Sequence, residues 1–257
     1  SGGCPAVACM ANPPAVNDSR LVTELVLGAA RAAGLARVYP VGAISMGLEG
    51  EQLAPFGQLV AAGCVAVSDD GRPVMSAELM RRALEFARHF RIPVVQHAQD
   101  LDLSGEGVMH EGVASACCGL PGIPGAAEDV MVARDLILTE DSGGRYHVAH
   151  ISTGRALGLV RDAKARGLNV TCEVTPHHLL LDDRAVTASG FDANFKMQPP
   201  LRGESDVATL VAGLVDGTVD AIASDHAPHT RDEKALEFQL APFGIVRAQA
   251  TKLKVGV

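Results

Sequence analysis

The sequence has 257 residues, of which 47% are hydrophobic, and this is enough apolar material for one large core or two smaller ones. Its net charge is −8, from 22 basic and 30 acidic residues, and that balance argues against binding to nucleic acid or to an anionic membrane. With no Trp and two Tyr, the chain has few of the aromatic side chains that base-stacking and carbohydrate platforms use.

The six cysteines include no C-x-x-C pair, and most lie in apolar runs. We therefore expect buried thiols in a reducing compartment. The sequence shows no signal peptide and no apolar run long enough to span a bilayer. These patterns predict a cytoplasmic protein with no membrane contact, and they leave open whether it forms a homo-oligomer.

Apolar runs typical of strands alternate with segments of helical spacing along the chain. The first helical segment, for example, places Leu21, Leu25 and Ala29 on one face. Strands are predicted at 6–10, 38–44, 64–68, 94–97, 146–151, 169–174 and 220–224. Helices are predicted at 19–33, 51–62, 75–90, 127–139, 153–166 and 205–215. A Gly-, Pro- and Cys-rich insertion covers 105–125.

The predicted strands are apolar almost throughout, as are strands covered by helices on both faces of a parallel sheet. Seven strand–helix units favour a (β/α)8 TIM-type barrel with a unit missing, or a doubly wound sheet. No G-x-G-x-x-G follows an early strand, which counts against a dinucleotide-binding fold. No internal repeat or linker divides the chain.

Six of the seven predicted strands end in polar, mostly ionisable residues. In order, these residues are Asn12; Asp69 and Asp70; His97; His150; Thr175, His177 and His178; and Asp225 and His229. In barrel enzymes the chemistry lies at the carboxyl ends of the strands. Imidazole nitrogens and carboxylate oxygens are ligands that zinc accepts, and ligands from separate strands suit a catalytic site.

Period-two alternation separates some neighbours. His150 shares a face with Val148, whereas His147 points the other way and is interpreted as structural. Asp69 and Asp70 point to opposite faces, and alternation leaves the choice between them open. The set as a whole favours a metal site at Asp70, His97, His150 and Asp225.

Other readings apply to the remaining histidines. A capped strand end with solvated imidazoles is the alternative reading of 221–230. His226 is interpreted as support for the neighbouring ligand, and His89 and His110 as surface residues.

A series of motifs resembles the bacterial dihydroorotases of the amidohydrolase superfamily. They are Asn12 with Val16-Asn17-Asp18, Val38-Tyr39-Pro40-Val41-Gly42-Ala43, Ser68-Asp69-Asp70-Gly71, Gln96-His97-Ala98-Gln99-Asp100, His150-Ile151-Ser152-Thr153, Glu173-Val174-Thr175-Pro176-His177-His178, Pro199-Pro200-Leu201-Arg202, and Ser224-Asp225-His226-Ala227-Pro228-His229. The resemblance implies a zinc-dependent barrel, with one or two ions, that interconverts L-dihydroorotate and N-carbamoyl-L-aspartate in pyrimidine synthesis.

The resemblance also implies roles for individual residues. It selects Asp70 as a bridging metal ligand, assigns His97 and His150 to the second metal, and makes Asp225 a metal ligand that moves the proton. Substrate contacts would come from Asn12, His229 and the backbone of Phe243 and Gly244. The family's Asn before Pro-Pro-Leu-Arg is replaced by Gln198, whose side chain is one methylene longer.

The sequence departs from the family at both ends. It begins after the strand that carries a His-x-His pair and an Arg, and 252–257 resembles a piece found further downstream in the family. We therefore expect 1–246 to be an incomplete metal-dependent hydrolase barrel and 247–257 a C-terminal remnant. For such a chain we expect weak metal affinity at the first site and little or no activity.

Two other hypotheses remain. A non-catalytic subunit that scaffolds aspartate transcarbamoylase would fit the absent ligands, although it would have no reason to retain the four metal-site residues. A hydantoinase or allantoinase would normally place a carboxylated Lys where this chain has Asp70.

Overall fold

The structure, a computed structural model, describes residues 5–12 and 15–245. The strands are β1 (Ala6–Cys9), β2 (Arg37–Gly42), β3 (Ala66–Ser68), β4 (Val94–Gln96), β5 (Met109–His110), β6 (Gly122–Ile123), β7 (Tyr146–Val148), β8 (Val170–Val174) and β9 (Ala221–Ile222). The α-helices are α1 (Arg20–Ala33), α2 (Phe56–Ala62), α3 (Ala77–Phe90), α4 (Leu101–Ser104), α5 (Val113–Cys118), α6 (Ala126–Ser142), α7 (Gly154–Ala165), α8 (Pro176–Leu180), α9 (Arg184–Ala188), α10 (Glu204–Val215) and α11 (Arg231–Lys234). The predicted remnant, 247–257, lies outside the described residues.

Seven strands form one sheet in the order β1-β2-β3-β4-β7-β8-β9, and β5 pairs with β6 separately. The pairs β1–β2, β2–β3, β3–β4, β4–β7 and β8–β9 are parallel. Each of the seven predicted strands is therefore confirmed. The predicted insertion contains a short parallel β5–β6 pair and helix α5, which the Gly- and Pro-rich composition did not reveal.

Helix α3 shows how the sequence sets these elements. The Ser76 side chain accepts a hydrogen bond from the Leu79 backbone N–H and so caps the N-terminus. Arg91 adopts a left-handed conformation that ends the helix. Its buried face consists of Leu79, Met80, Ala83, Leu84 and Ala87, which recur at the helical period.

By its contacts the chain divides into two compact units. The first comprises the described part of 1–97 together with 134–148 and 166–170, and its core includes Val67, Leu84 and Val94. The second comprises 98–133, 149–165 and the described part of 171–257. It contains an apolar cluster of Val108, Met109, Leu181, Val186, Leu201 and Phe238.

The prediction of buried thiols is only partly right. Cys64 and Cys172 are buried, but Cys117 and Cys118 are exposed at the end of α5. None of the helices in the described part of the chain has the length and apolar character needed to cross a membrane.

Candidate metal and substrate site

Asp70 and His97 lie together at the ends of neighbouring strands. β3 ends at Ser68 and β4 at Gln96, and the parallel register brings the residues that follow them to one edge of the sheet. The Asp70 Oδ1 atom is 4.0 Å from the His97 Nδ1 atom. The His97 side chain is 3% exposed and that of Asp70 is 17% exposed, so this carboxylate and imidazole are largely screened from water.

The adjacent Asp69 has a different environment. Its Oδ1 atom accepts hydrogen bonds from the backbone N–H groups of Ile44 (2.7 Å) and Ser45 (3.0 Å), and its Oδ2 atom accepts one from the Ser45 hydroxyl. Burial raises the pKa of Asp69, and these hydrogen bonds oppose that rise. Asp69 thus fastens the end of β3 to the segment that follows β2, which is a structural role.

His150 follows β7 by two residues. In the β4–β7 pair, Gln96 lies opposite Val148, so the chain leaves both strands at the same edge. The His150 side chain is buried, and its backbone has a φ of +32°, which is uncommon for a residue other than glycine. Asp70, His97 and His150 can each offer one ligand atom to a metal ion.

Asp225 follows β9 by three residues and is half-buried. Its backbone also has a positive φ, +40°, so two of the four predicted ligands are in a conformation that L-amino acids seldom adopt. Such conformations occur preferentially at functional sites because the surrounding structure must hold them in place. The role of Asp225 as ligand and proton carrier stays a prediction.

Two predicted substrate contacts, Asn12 and Gln198, lie against residues of the site motifs. Asn12 is exposed, and its side-chain amide donates to the backbone carbonyl of Asp70 at 3.2 Å. The Gln198 amide donates to the Gln99 side chain at 2.8 Å. Gln99 is in the motif that begins at Gln96, so the second contact joins two segments that the resemblance had singled out separately.

The other predicted substrate contacts form one cluster. The His229 Nε2 atom donates to the Phe243 carbonyl at 2.9 Å, and His229 Nδ1 lies 3.6 Å from a Glu233 carboxylate oxygen. Gly244 is buried and has a φ of +145°. A Cβ atom at this position would lie 2.5 Å from the Ala227 carbonyl oxygen, so only glycine fits.

His177 and His178 are both buried on α8. Burial, and to a smaller extent the electrostatic influence of His150, lowers the pKa of His177 to about 3, so the His177 imidazole is neutral at pH 7. The His178 Nε2 atom donates to the Pro199 carbonyl at 3.0 Å, which leaves Nδ1 to accept from the Thr175 hydroxyl at 2.7 Å. Thr175 and His178 therefore tie the end of β8 to the Pro-Pro-Leu-Arg segment.

A buried polar network supports the segment that follows His150. The Glu128 carboxylate accepts from the backbone N–H groups of Ser152 and Thr153, both at 2.9 Å, and from both hydroxyls. Arg202 donates to the Ser152 hydroxyl at 3.0 Å and to the Ile123 carbonyl at 2.8 Å. Both charged side chains are almost fully buried, with Arg202 Nη2 3.9 Å from Glu128 Oε2.

Sequence reasoning missed part of this network. Arg202 belongs to the Pro-Pro-Leu-Arg motif. Glu128, a carboxylate near the start of α6, belongs to no motif, and nothing in the adjacent sequence indicates that it is buried. The interpretation of His110 as a surface residue is wrong. It lies half-buried on β5, 3.4 Å from Arg202, and burial together with that positive charge lowers the pKa of His110.

Residues 1–156 match the family described as dihydro-orotase-like. The chain belongs to the dihydro-orotase-like family. Relatives named dihydroorotase come from Anaeromyxobacter sp. (strain K), 61% identical over 246 residues, and Pelobacter propionicus, 53% identical over 246 residues. These matches cover 96% of this chain but only 57% and 58% of the respective relatives. The chain therefore spans somewhat more than half the length of the curated relatives it matches.

Solved structures named hydantoinase share the fold. An L-hydantoinase from Arthrobacter aurescens matches with a TM-score of 0.77 at 20% identity, over 95% of this chain and 56% of that chain. A D-hydantoinase from Thermus sp. matches with a TM-score of 0.70 at 23% identity and the same coverage. These matches confirm the predicted α/β fold, a parallel half-barrel whose sheet has seven strands.

Proposed function

We propose that this chain is the metal- and substrate-binding part of a dihydroorotase, which interconverts L-dihydroorotate and N-carbamoyl-L-aspartate. The main support is the 61% identity over 246 residues to a relative named dihydroorotase. The Asp70–His97 pair adds chemical support, because a zinc-dependent reaction needs oxygen and nitrogen ligands that are held together and largely screened from water.

Asp70, His97 and His150 would hold the metal, with Asp225 as a further ligand. Their carboxylates and imidazoles are the donor set that zinc accepts, so the residues fit the ion that the family resemblance implies. When bound, the ion would supply Lewis-acid polarisation of the substrate carbonyl. In hydrolysis, Asp225 would accept a proton from the attacking water and deliver it to the leaving ring nitrogen.

The substrate would be held by the predicted contact residues. The side chains of Asn12, Gln198 and His229 and the backbone of Phe243 and Gly244 offer hydrogen-bonding groups for a carboxylate and a cyclic amide. His229 already donates to Phe243 and lies close to Glu233, so a substrate carboxylate would replace one of these two partners.

The proposal is tested by incubating the chain with zinc and L-dihydroorotate and following ring opening by chromatography. Hydantoin and allantoin serve as competing substrates, and Asp225→Asn serves as the variant without the proton carrier. We expect any ring opening, which should be slow because of the weak metal affinity, to be confined to dihydroorotate and to be lost in Asp225→Asn. Preferential opening of hydantoin or allantoin would contradict the proposal. Association with aspartate transcarbamoylase stays a separate prediction, for which copurification is the direct measurement.

A further inference from the structure

Lys196 is buried beneath residues 239–244, which form the 239–244 loop. Its ammonium group donates to the carbonyls of Gln239 at 2.9 Å and Ala241 at 2.7 Å. It also lies 4.6 Å from the centre of the Phe243 ring, within cation–π range. The Lys196 side chain is 2% exposed, so these contacts replace the water that a lysine would otherwise bind.

Lys234 holds the same loop from a second point. Its ammonium group donates to the carbonyls of Pro242 at 2.7 Å and Ala193 at 3.0 Å. Burial, together with the positive charge of Lys196, lowers the pKa of Lys234 to about 8. Two cations that repel each other thus both donate hydrogen bonds to carbonyls of the same loop.

The loop in turn carries predicted substrate contacts. The Gly244 N–H donates to the Lys196 carbonyl at 2.9 Å, and the Phe243 carbonyl accepts from His229 at 2.9 Å. The Ala227 N–H donates to the Ile245 carbonyl at 3.3 Å. A shift of the loop would therefore move the backbone of Phe243 and Gly244 and the imidazole of His229 together.

We infer that Lys196 and Lys234 are positioning residues that hold the 239–244 loop in the conformation that binds substrate. They form a lysine clamp, the two ammonium groups together with the carbonyls of Gln239, Ala241 and Pro242. The clamp touches no reacting atom, so it acts on binding rather than on proton transfer. Only the identity of the bound molecule rests on the proposed function.

The test compares Lys196→Met and Lys234→Met with Lys164→Met in the full chain. Lys164 is the matched control because it also makes two hydrogen bonds, to the Thr218 carbonyl at 2.7 Å and to Asp220 at 2.6 Å, outside the loop. Hydrogen exchange of the 239–245 amides and steady-state kinetics with dihydroorotate are measured for each variant. Lys234 is only half-buried, so Lys234→Met should fold. It can therefore be used for the test if Lys196→Met does not fold.

We expect the clamp variants to exchange the 239–245 amides about tenfold faster and to raise KM about tenfold, with kcat changed by less than about threefold. The Lys164 variant should leave both quantities unchanged. Unchanged exchange in the clamp variants, or a fall in kcat at constant KM, would overturn the inference. If the unmodified chain turns over hydantoin or allantoin but not dihydroorotate, the proposed function fails, while the exchange measurement still decides whether the clamp orders the loop.

Discussion

Asp69 and Asp70 show how two adjacent identical side chains acquire different roles. Because successive residues at a strand end face opposite ways, one carboxylate meets the backbone N–H groups of Ile44 and Ser45 and the other meets His97. The first is saturated by hydrogen bonds from the protein. The second lies beside an imidazole that can share a metal ion with it.

Replacing each aspartate by alanine should separate the two roles. Asp69→Ala leaves two buried N–H groups unpaired and should lower the free energy of unfolding by about 2–4 kcal/mol. The free energy of unfolding of Asp70→Ala should lie within about 1 kcal/mol of that of the unmodified chain. The variant should, however, bind zinc about a hundredfold more weakly. Urea denaturation and zinc calorimetry measure the two effects, and a stable Asp69→Ala variant that loses zinc would reverse the assignment.

For single residues, the sequence predicts which side chains belong to the site better than it predicts which side chains they contact. Alternation could place Asp69 and Asp70 on opposite faces but could not say which face holds the histidines. The choice of Asp70 came from the family resemblance, and the 4.0 Å approach to His97 agrees with it. The burial of His110 was not predicted because Arg202, which lies beside it, is 92 positions away in sequence.

Helix α6 connects several strand ends through buried carboxylates. Asp135 accepts hydrogen bonds from Gln96 at the end of β4 (3.3 Å), from Tyr146 on β7 (3.1 Å) and from its neighbour Arg134 (2.8 Å). Glu128, two turns earlier, binds the segment that follows His150. Glu128 and Asp135 lie on the buried face of α6, where helical periodicity predicts apolar side chains, so the sequence predicted α6 without predicting these connections.

Stability should depend on pH through Asp135. Complete burial raises the pKa of Asp135 to about 6 in the folded chain, above its ordinary value of 3.8. The folded state therefore binds more protons than the unfolded state between these values, so stability present below pH 3.8 is lost as the pH rises through about 6. The loss should be about 3 kcal/mol.

Urea unfolding of Asp135→Asn across this pH range measures the effect. The variant should lack most of the decline, whereas Asp141→Asn, on the exposed side of the same helix, should retain it. Equal slopes in the Asp135 variant and the unmodified chain would contradict this account.

The Glu128 network makes a second prediction for α6. Glu128→Gln removes the carboxylate that pairs with the buried Arg202 and should lower the free energy of unfolding by about 3 kcal/mol, because only the weaker attraction of Asp206 and Asp129 then offsets that charge. Glu140→Gln is the control on the same helix, since the Glu140–Arg166 ion pair is more than half exposed and should contribute less than about 1 kcal/mol. Thermal denaturation compares them, and similar losses would argue against a special role for the buried pair.

Across the whole molecule, the sequence anticipated the fold more completely than the site. The seven strands of the main sheet were predicted because apolar runs and helical spacing are local properties, although β1 and β9 at its edges are largely exposed. The β5–β6 pair and the short helices α4, α8, α9 and α11 were not, because they depend on caps such as Asp100, Thr175 and Thr230 and on distant packing.

An exposed apolar stripe on α1 makes a prediction about assembly. Leu21 and Leu25 are one turn apart, 66% and 61% exposed, and Leu35 beyond the helix is 79% exposed. Contiguous apolar surface of this kind promotes association. We expect the chain to self-associate with increasing concentration, and Leu21→Lys with Leu25→Lys to reduce that association. Sedimentation velocity measures it, with Ile137→Lys as the control, since Ile137 is 67% exposed on α6 and has the charged Arg134 and Asp141 about one turn away.

Gly244 limits how the ligand specificity of the chain could be altered. Because its missing side chain leaves room for the Ala227 carbonyl, a library that randomises this position should return glycine alone, whatever ligand is used for selection. New specificity would have to come from neighbours that have space to vary, such as Gln198, with the turn at position 244 retained as part of the scaffold.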